Sequence, residues 1–487
     1  MGAPTTSSEV DRLRAEVSEL RELVEKLGAT INQQASIIEA LQAENKQLRE
    51  ENERLRSEVE QLRRRVFGPS SEKMPTISQE LRRRKKTKKK SRKRRRKLTR
   101  EPRKNVETVE VLHQVPEEER TCPHCPGVTL QPLGAETSVE YEFIPAQFIR
   151  RVHRREKLCC PCCGAHIVTA PGPLKVYDKA QYGPGFFAHI IVAKCADSMP
   201  LYRQAKQLYR AGVPVARSTM TDLFHRAAGL LRPLVTRAEQ IVAQSELVQA
   251  DETTFRIVEP IKCRKGYIWT FIGAGLIVYR FAPSRSGETP QRVLGGSSGK
   301  LLVDGYTGYN EVCEVDGRLR VGCLAHCRRK FFEAHSTAPD EARHALDTIL
   351  ELYANEREAE DLDIVGTAEH LQLRQSKSTP VMDGFHDWLL EQKPLHVPKS
   401  PMAKAVGYAL NQWDHLTMFL DDAALPLDNN EAERRLRLVA LERKNYLFAA
   451  DDDGAENLAT LMSLVVTCEA HDINPEQYLA DCLLYTS

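Results

Sequence analysis

Three acidic residues stand in settings suited to chemistry. Asp251 lies in Gln249-Ala-Asp-Glu-Thr253, Asp304 in Leu301-Leu-Val-Asp-Gly-Tyr-Thr-Gly-Tyr-Asn310, and Glu433 in Asp428-Asn-Asn-Glu-Ala-Glu-Arg-Arg-Leu-Arg437. The first two follow short β-like runs and the third sits in a helical pattern. Carboxylates in such a set suit hard cations. Two divalent ions about 3.5 to 4 Å apart stabilise both the attacking and the leaving oxygen of an in-line phosphoryl displacement. Mg²⁺, with Mn²⁺ as its substitute, is held by one or two carboxylates together with waters and substrate phosphate. Taken singly, each acid reads as a cap or turn residue, since Asp-Gly commonly marks a turn. Taken together, in this order and with basic flanks, they point to phosphodiester chemistry on nucleic acid.

Strands must position the first two acids. Leu247 to Val258 reads as a strand containing Asp251. Lys265 to Ile272 and Leu276 to Phe281, joined by Gly273-Ala-Gly275, carry a hairpin signature. Lys300 to Val303 delivers Asp304 at a strand's end. Three antiparallel strands with a fourth beside the first make an RNase H-like order, which sets Asp251 and Asp304 side by side. The stretch from Ala325 to Leu420 is helical in pattern and too long for one crossover, so most of it reads as an insertion. A helix capped by Asp428 or Asn429 places Glu431 in its first turn, where an acid also suits the macrodipole. Glu433 shares a face with Arg437.

Upstream, a heptad runs through the first 66 residues. Position a falls on Val10, Val17, Val24, Ile31, Ile38, Asn45, Asn52, Val59 and Val66, and position d on Leu13, Leu20, Leu27, Gln34, Leu41, Leu48, Leu55 and Leu62. β-Branched a with Leu at d favours a parallel dimer, and Asn at a fixes register. Phe67-Gly-Pro69 ends the helix. A basic run follows, including Arg82, Arg83, Arg84, Lys85, Lys86, Arg94, Arg95 and Arg96. It has nothing apolar to bury and cannot fold alone. It reads as a tether or as an arm that binds duplex DNA without regard to sequence, through phosphate neutralisation and counterion release. A basic-zipper transcription factor has its basic helix before the zipper, whereas this chain has it after.

Cys122-Pro-His-Cys125 and Cys160-Pro-Cys-Cys163 each carry the gap that turns two sulfurs toward one tetrahedral Zn²⁺, at about 2.3 Å. Cys159 and Cys162 share that spacing. Cys160 and Cys163 are preferred because Cys-Pro-x-Cys repeats the first knuckle. Between the knuckles, Thr137 to Arg150 alternates like a strand pair. From Gly183 to about Glu246 the pattern is helical, with a turn at Ala211-Gly-Val-Pro-Val215. A capped helix from Ser218 could enter a groove as the second helix of a helix-turn-helix unit, or belong to plain helical packing.

The acidic segments resemble those of the DDE transposases of insertion-sequence family 66. So do, in order, Arg65-Val-Phe-Gly-Pro-Ser-Ser-Glu-Lys73, the paired Cys motifs, Leu201-Tyr-Arg-Gln204, Gly322-Cys-Leu-Ala-His-Cys-Arg-Arg-Lys-Phe331 and Arg443-Lys-Asn-Tyr-Leu-Phe448. The resemblance runs from about residue 10 to the end. It implies an enzyme that cuts at the ends of its own element and joins the freed 3′ ends to target DNA, with the final acid of the family on Glu433. It places His326, Arg328 and Arg329 on a helix after the second acid. His326 is then a substrate-contacting, proton-handling or packed residue, and Arg328 and Arg329 join the expected DNA contacts. Arg434, Arg437, Arg443 and Lys444 would lie near substrate phosphates, some only as surface charges. Family members continue beyond Leu483 to Ser487, so this end reads as truncated or artefactual.

Composition agrees with a multidomain α/β protein. The chain has 487 residues, 28% of them charged, and a net charge of only +3. That near balance conceals the basic run. No apolar stretch approaches the roughly 18 to 20 residues of a membrane span, and the N-terminus lacks a signal-peptide core. A bacterial cytoplasmic, nucleoid-associated protein is expected, with no membrane partner. Thirteen Cys, several paired at metal-ligand spacing, fit a reducing compartment better than a disulfide framework. The expected order is a coiled coil over 8–66, a basic arm over 67–112, a zinc module over 113–172, a helix-turn-helix-like region over 173–246, an RNase H-like domain over 247–450 with a helical insertion at about 330–420, and a C-terminal helical segment over 451–487. The expected partners are duplex DNA, a second copy through the zipper, and helper proteins. Two other classes share these features: a non-catalytic DNA-binding regulator or accessory subunit, and a structure-specific nuclease with the same core.

Overall fold

The computed structural model describes residues 7–67, 77, 80–81, 149–154, 156–159, 167–169 and 171–485, apart from 261, 315, 316 and 447. These fall almost wholly in one compact unit made of residues 1–82 and 155–487; of the other, 83–154, only 149–154 are described, without regular secondary structure. The basic run and all four preferred zinc cysteines lie outside the described residues. So does nearly all of the strand pair expected between Thr137 and Arg150.

The heptad segment is one helix, α1 (Ser7–Phe67). Among the described residues its a and d side chains stay open to solvent within the chain, Val24 being 67% and Ile31 61% exposed. Two short antiparallel strands, β1 (Lys157–Cys159) and β2 (Ile167–Thr169), flank the second cysteine pair. Helices α2 (Pro184–Cys195), α3 (Leu201–Arg210) and α4 (Arg217–Ala243) follow. α4 starts one residue before Ser218, its N-cap is Ala216, and no side chain caps it. The expected cap is therefore absent.

A five-stranded sheet comes next. Its strands are β3 (Leu247–Ile257), β4 (Arg264–Gly273), β5 (Leu276–Ala282), β6 (Gly299–Leu302) and β7 (Arg318–Val321), in the spatial order β5-β4-β3-β6-β7. β3, β4 and β5 are antiparallel neighbours, while β6 and β7 run parallel to β3. The β4–β5 connection is the expected tight hairpin. Ala274 and Gly275 hold φ of 47° and 77°, the left-handed pair that a two-residue hairpin turn requires. Helix α5 (Glu288–Leu294) links β5 to β6, and α6 (Asn310–Glu314) links β6 to β7.

Alternation along β6 divides the interior. Leu301 and Val303 face a core built from α2, α4, β3 to β5 and the C-terminal helices. Leu302 faces a second core that includes Val321 and the helices after β7. Those helices are α7 (Leu324–Ala334), α8 (Pro339–Asp361), α9 (Ala368–Leu373), α10 (Thr379–Gln392), α11 (Pro401–Asn411) and α12 (Trp413–Thr417), so the stretch expected to be a helical insertion is helical. The chain then returns as α13 (Asn430–Tyr446), α14 (Asp452–Ala470) and α15 (Pro475–Tyr485).

The proposed borders at 246 and 450 do not separate cores. Leu223, Phe224 and Leu231 of α4, and Leu458, Met462 and Val465 of α14, share one core with Val248, Trp269 and Val278 of the sheet. α14 also finishes the sheet's edge. The backbone N–H groups of Ile277, Tyr279 and Phe281 on β5 donate to Thr467 Oγ1 (3.1 Å), Ser463 Oγ (2.8 Å) and Glu456 Oε2 (2.9 Å). Acceptors spaced along one helical face thus satisfy the alternate donors that an edge strand leaves unpaired.

Candidate active site

Register brings the first two acids together. β3 and β6 run parallel with Gln249 opposite Leu302. β6 ends at Leu302, so Asp304 lies two residues past this pair just as Asp251 does on β3, and a period of two turns both toward the same side of the sheet. The backbone beyond β6 is held there, because Arg320 Nη2 donates to Asp304 O at 2.8 Å and Val303 N donates to Val321 O at 3.1 Å. Asp304 Oδ1 accepts the N–H of Tyr306 at 2.9 Å, an Asx-type turn that fixes the carboxylate.

Glu433 arrives from α13. The anchor of that helix is Asn429, 1% exposed, whose Nδ2 donates to Ala250 O at 2.7 Å and whose backbone N–H donates to Cys323 Sγ at 3.2 Å. The start of α13 is thereby fastened to β3 next to Asp251. Its first turn closes with Glu433 N donating to Asn429 O at 3.2 Å. Farther along, Arg443 Nη1 donates to Thr254 O and Oγ1 at 2.6 and 2.7 Å. Arg443 thus ties α13 to β3.

His326 on α7 links the second and third acids. Its Nε2 lies 4.0 Å from Asp304 Oδ2 and 3.6 Å from Glu433 Oε1. Burial pushes its pKa below the usual imidazole value even though both carboxylates favour the charged form. His326 is therefore neutral at neutral pH. Among the described residues its Nδ1 is buried without a hydrogen-bond partner. Asp251 moves the other way: burial, then the charge of Glu252 and more weakly those of Glu433 and Asp304, push its carboxyl up to about 8, against a bond from the N–H of Glu252.

Such a set fits divalent metal. Oxygen donors converge, and like charges gathered in a poorly hydrated place raise each other's pKa, a cost that a hard cation removes. Among the described residues, no group of three or more His, Cys, Asp and Glu is closed enough to hold an ion as it stands. Glu433 is engaged instead by Arg329, whose Nη2 sits 3.0 and 3.2 Å from its two oxygens.

Support for Asp251 comes from residues that sequence reasoning missed. The neighbouring Glu252 points to the opposite face, where its side chain is only 2% exposed. There it accepts from Tyr309 Oη at 2.8 Å and from Arg285 Nε at 2.7 Å. Arg285 also lies over the Tyr306 ring, 3.9 Å from its centroid. The tyrosines of the Asp304-Gly-Tyr-Thr-Gly-Tyr309 segment therefore brace β3. The signal was their spacing after Asp304, but nothing local named Glu252 as their partner. Asp428 is similarly held by Tyr353 Oη at 2.6 Å.

The expected DNA contacts separate by placement. Arg329 is 44% and Arg434 64% exposed, the latter paired with Glu431 at 3.0 Å, and Arg437 and Lys444 are exposed. Arg328 is the correction. It is 1% exposed, with Nη2 2.7 Å from Glu80 Oε2, so it is an internal group with no open face for DNA.

The model of the transposase IS66 family matches residues 179–457, a stretch containing Asp251, Asp304 and Glu433. The chain belongs to the IS66 transposase family. The model of the zinc-finger binding domain of transposase IS66 matches residues 119–164, which span both cysteine pairs. Two similar proteins come from Sinorhizobium fredii. Uncharacterized protein y4jD is 34% identical over 387 residues, 75% of this chain and 74% of its own. Uncharacterized protein y4hP is 32% identical over 389 residues, 74% of this chain and 70% of its own. For an IS66 transposase the family supports action on DNA, a divalent metal and a zinc site. Among the described residues no helix is long and apolar enough to cross a membrane.

Proposed function

We propose that this IS66 transposase cleaves phosphodiester bonds at the ends of its own insertion sequence and joins the 3′ ends to target DNA, using Asp251, Asp304 and Glu433 in an RNase H-like core. The observation that supports the reading is the parallel pairing of β3 with β6 just before Asp251 and Asp304, with His326 Nε2 4.0 Å from Asp304 and 3.6 Å from Glu433. Two Mg²⁺ or Mn²⁺ ions held by the three carboxylates would stabilise the attacking and leaving oxygens.

The chain's own residues do the rest. Asp251 and Asp304 on the sheet, with Glu433 from α13, would hold the cations against which a reacting phosphate is placed. Neutral His326 can accept a hydrogen bond from, or donate one to, a water or 3′ hydroxyl near the acids. Arg329, half open to solvent, can pair with a phosphate once Glu433 is otherwise engaged. Cys122, Cys125, Cys160 and Cys163 hold zinc in a separate module. The arm over 82–97 supplies affinity without sequence information, and α1 pairs with a second copy as a parallel zipper. In this reading the helices of 173–246 and 451–487 belong with the catalytic core, since α4 and α14 pack in the same core as the sheet.

Incubation of the protein and Mg²⁺ with labelled duplexes carrying the element's ends tests the reading. The expected products are free 3′ hydroxyls and joined strands. Asp251→Asn, Asp304→Asn or Glu433→Gln should reduce both to background while DNA binding persists. Cleavage without strand joining would instead indicate a nuclease, and full activity in any variant would remove that residue from the site.

A further inference from the structure

We infer that the exposed face of α3, with the turn joining it to α4, is the surface that grips the element's double-stranded DNA; this rests on the transposase reading above. The sequence pattern leaves the helix opening near Ser218, which is α4, either to enter a groove or to belong to plain helical packing. Most of that helix is committed elsewhere: Met220, Leu223 and Phe224 are buried in the core, and after Arg217 at its very start, beside the turn, the exposed positions of its first turns carry Ser218 and Asp222. An exposed carboxylate there opposes a phosphate backbone.

α3 has the opposite character. Its inner side is fixed by Leu208, 3% exposed, and by Gln204, 2% exposed, whose Nε2 donates to Met199 O at 3.0 Å and Ile190 O at 3.3 Å. With 204 and 208 inward, helical periodicity turns Tyr202, Lys206 and Tyr209 out along one ridge and Arg203 and Arg210 along the next. Tyr202 is 52% and Tyr209 73% exposed. Lys206 Nζ lies 4.6 Å from the centroid of the Tyr202 ring. Between this ridge and Pro214 to Ala216 lies an open cavity of about 580 Å³.

Charge selects the occupant. From Ser198 to Thr221 the chain contains Arg203, Lys206, Arg210 and Arg217 and no acid. Arg203 and Arg210 are seven residues apart, or roughly 10 Å along the helix at 1.5 Å per residue. That span is close to the ~12 Å width of the DNA major groove, so both walls of phosphates are within reach of long side chains. Tyrosine hydroxyls and arginines are among the groups that contact phosphate and sugar. An uncharged apolar partner would leave these four cations without counterparts, whereas duplex DNA supplies them.

Fluorescence anisotropy with the full-length protein provides the test, using a duplex that carries the element's terminal sequence and a random duplex of equal length, over a salt series. Lys206→Gln/Arg210→Gln should weaken binding about tenfold and lower the salt slope by about two. Tyr202→Ala/Tyr209→Ala should weaken binding with the slope unchanged. Circular dichroism checks that the variants remain folded, as surface substitutions should. If wild type binds both duplexes and the two variants bind equally well, this inference fails while the transposase reading stands. Loss of another protein's binding with DNA affinity intact would equally overturn it. If wild type binds neither duplex, both readings fall.

Discussion

The guanidinium of Arg329 meets both carboxylate oxygens of Glu433, at 3.0 and 3.2 Å, where a divalent cation would be bound. If a cation binds there, side chain and metal would compete for one carboxylate. Because Arg329 is 44% exposed, the pair is worth only about 1 kcal/mol, or roughly a fivefold change in an equilibrium constant. Arg329→Gln should tighten Mn²⁺ binding by about that factor in the absence of DNA. It should weaken binding to DNA in the presence of metal, when the released guanidinium can meet a phosphate. Electron paramagnetic resonance titration of free Mn²⁺ reads the first effect and anisotropy the second. Unchanged Mn²⁺ affinity would mean that the ion does not use Glu433.

Asp251 should make the metal-free protein sensitive to alkali. In the folded chain its carboxyl is pushed up to about 8, mainly by burial, whereas an unfolded chain releases that proton near about 3.9. The folded state holds the extra proton between those values, so this contribution to stability is complete below the lower one and is lost as pH rises through the upper. The slope is at most about 1.4 kcal/mol per pH unit. Denaturant midpoints in chelator should fall between pH 6 and pH 9 for wild type, and Asp251→Asn should flatten the fall. Added Mg²⁺ should restore the wild-type midpoint with release of a proton. A variant as alkali-sensitive as wild type would refute the assignment.

Zinc is expected at about one ion per chain by elemental analysis, held by Cys122, Cys125, Cys160 and Cys163. Cys122→Ser should lose it and unfold the small module, since closed four-ligand sites contribute folding energy outright. A parallel Cys163→Ser and Cys162→Ser pair distinguishes the two possible second knuckles. Only the ligand's replacement should release zinc.

The long first helix should determine assembly. Its seam is open in the single chain, with Leu20 61% and Leu48 53% exposed. Sedimentation equilibrium of the full chain is expected to show at least a dimer. Deletion of residues 8–66 should shift the equilibrium toward monomer at equal concentration. A mass unchanged by the deletion would place the oligomer interface elsewhere.

Legibility in the sequence followed the range of the interactions. The Ala274-Gly275 hairpin, the strand containing Asp251 and the strand leading to Asp304 are local patterns, and all were readable. β7 was missed because Arg318-Leu-Arg-Val321 reads as exposed; in the fold Arg318 is 1% exposed and donates to Lys300 O, Ala243 O and Ser245 O. Arg328 was read as a DNA contact through the family resemblance, and its partner Glu80 meets it only in three dimensions. The placement of Glu433 leaned on family resemblance as well as helical position. The bracing of Glu252 by Tyr309 and Arg285 joins three segments that no periodicity connects. Long-range charge pairing thus limited the reading of the site, as the sharing of one core by α4 and α14 limited the domain borders.

The row of acceptors that α14 lays along β5 bears on the fate of damaged copies of the gene. A reading frame interrupted before Glu456 would still encode β5 but none of the groups that occupy its outer N–H row. Such a fragment would present a bare apolar strand edge, a template for stacking with its own kind. Expressed as residues 1–450, it should collect in the insoluble fraction, and recovery as a soluble DNA-binding species would contradict this. Interrupted copies would then be removed by quality control instead of persisting as competitors for the element's ends, so intact transposase would not be held in check by its own broken descendants.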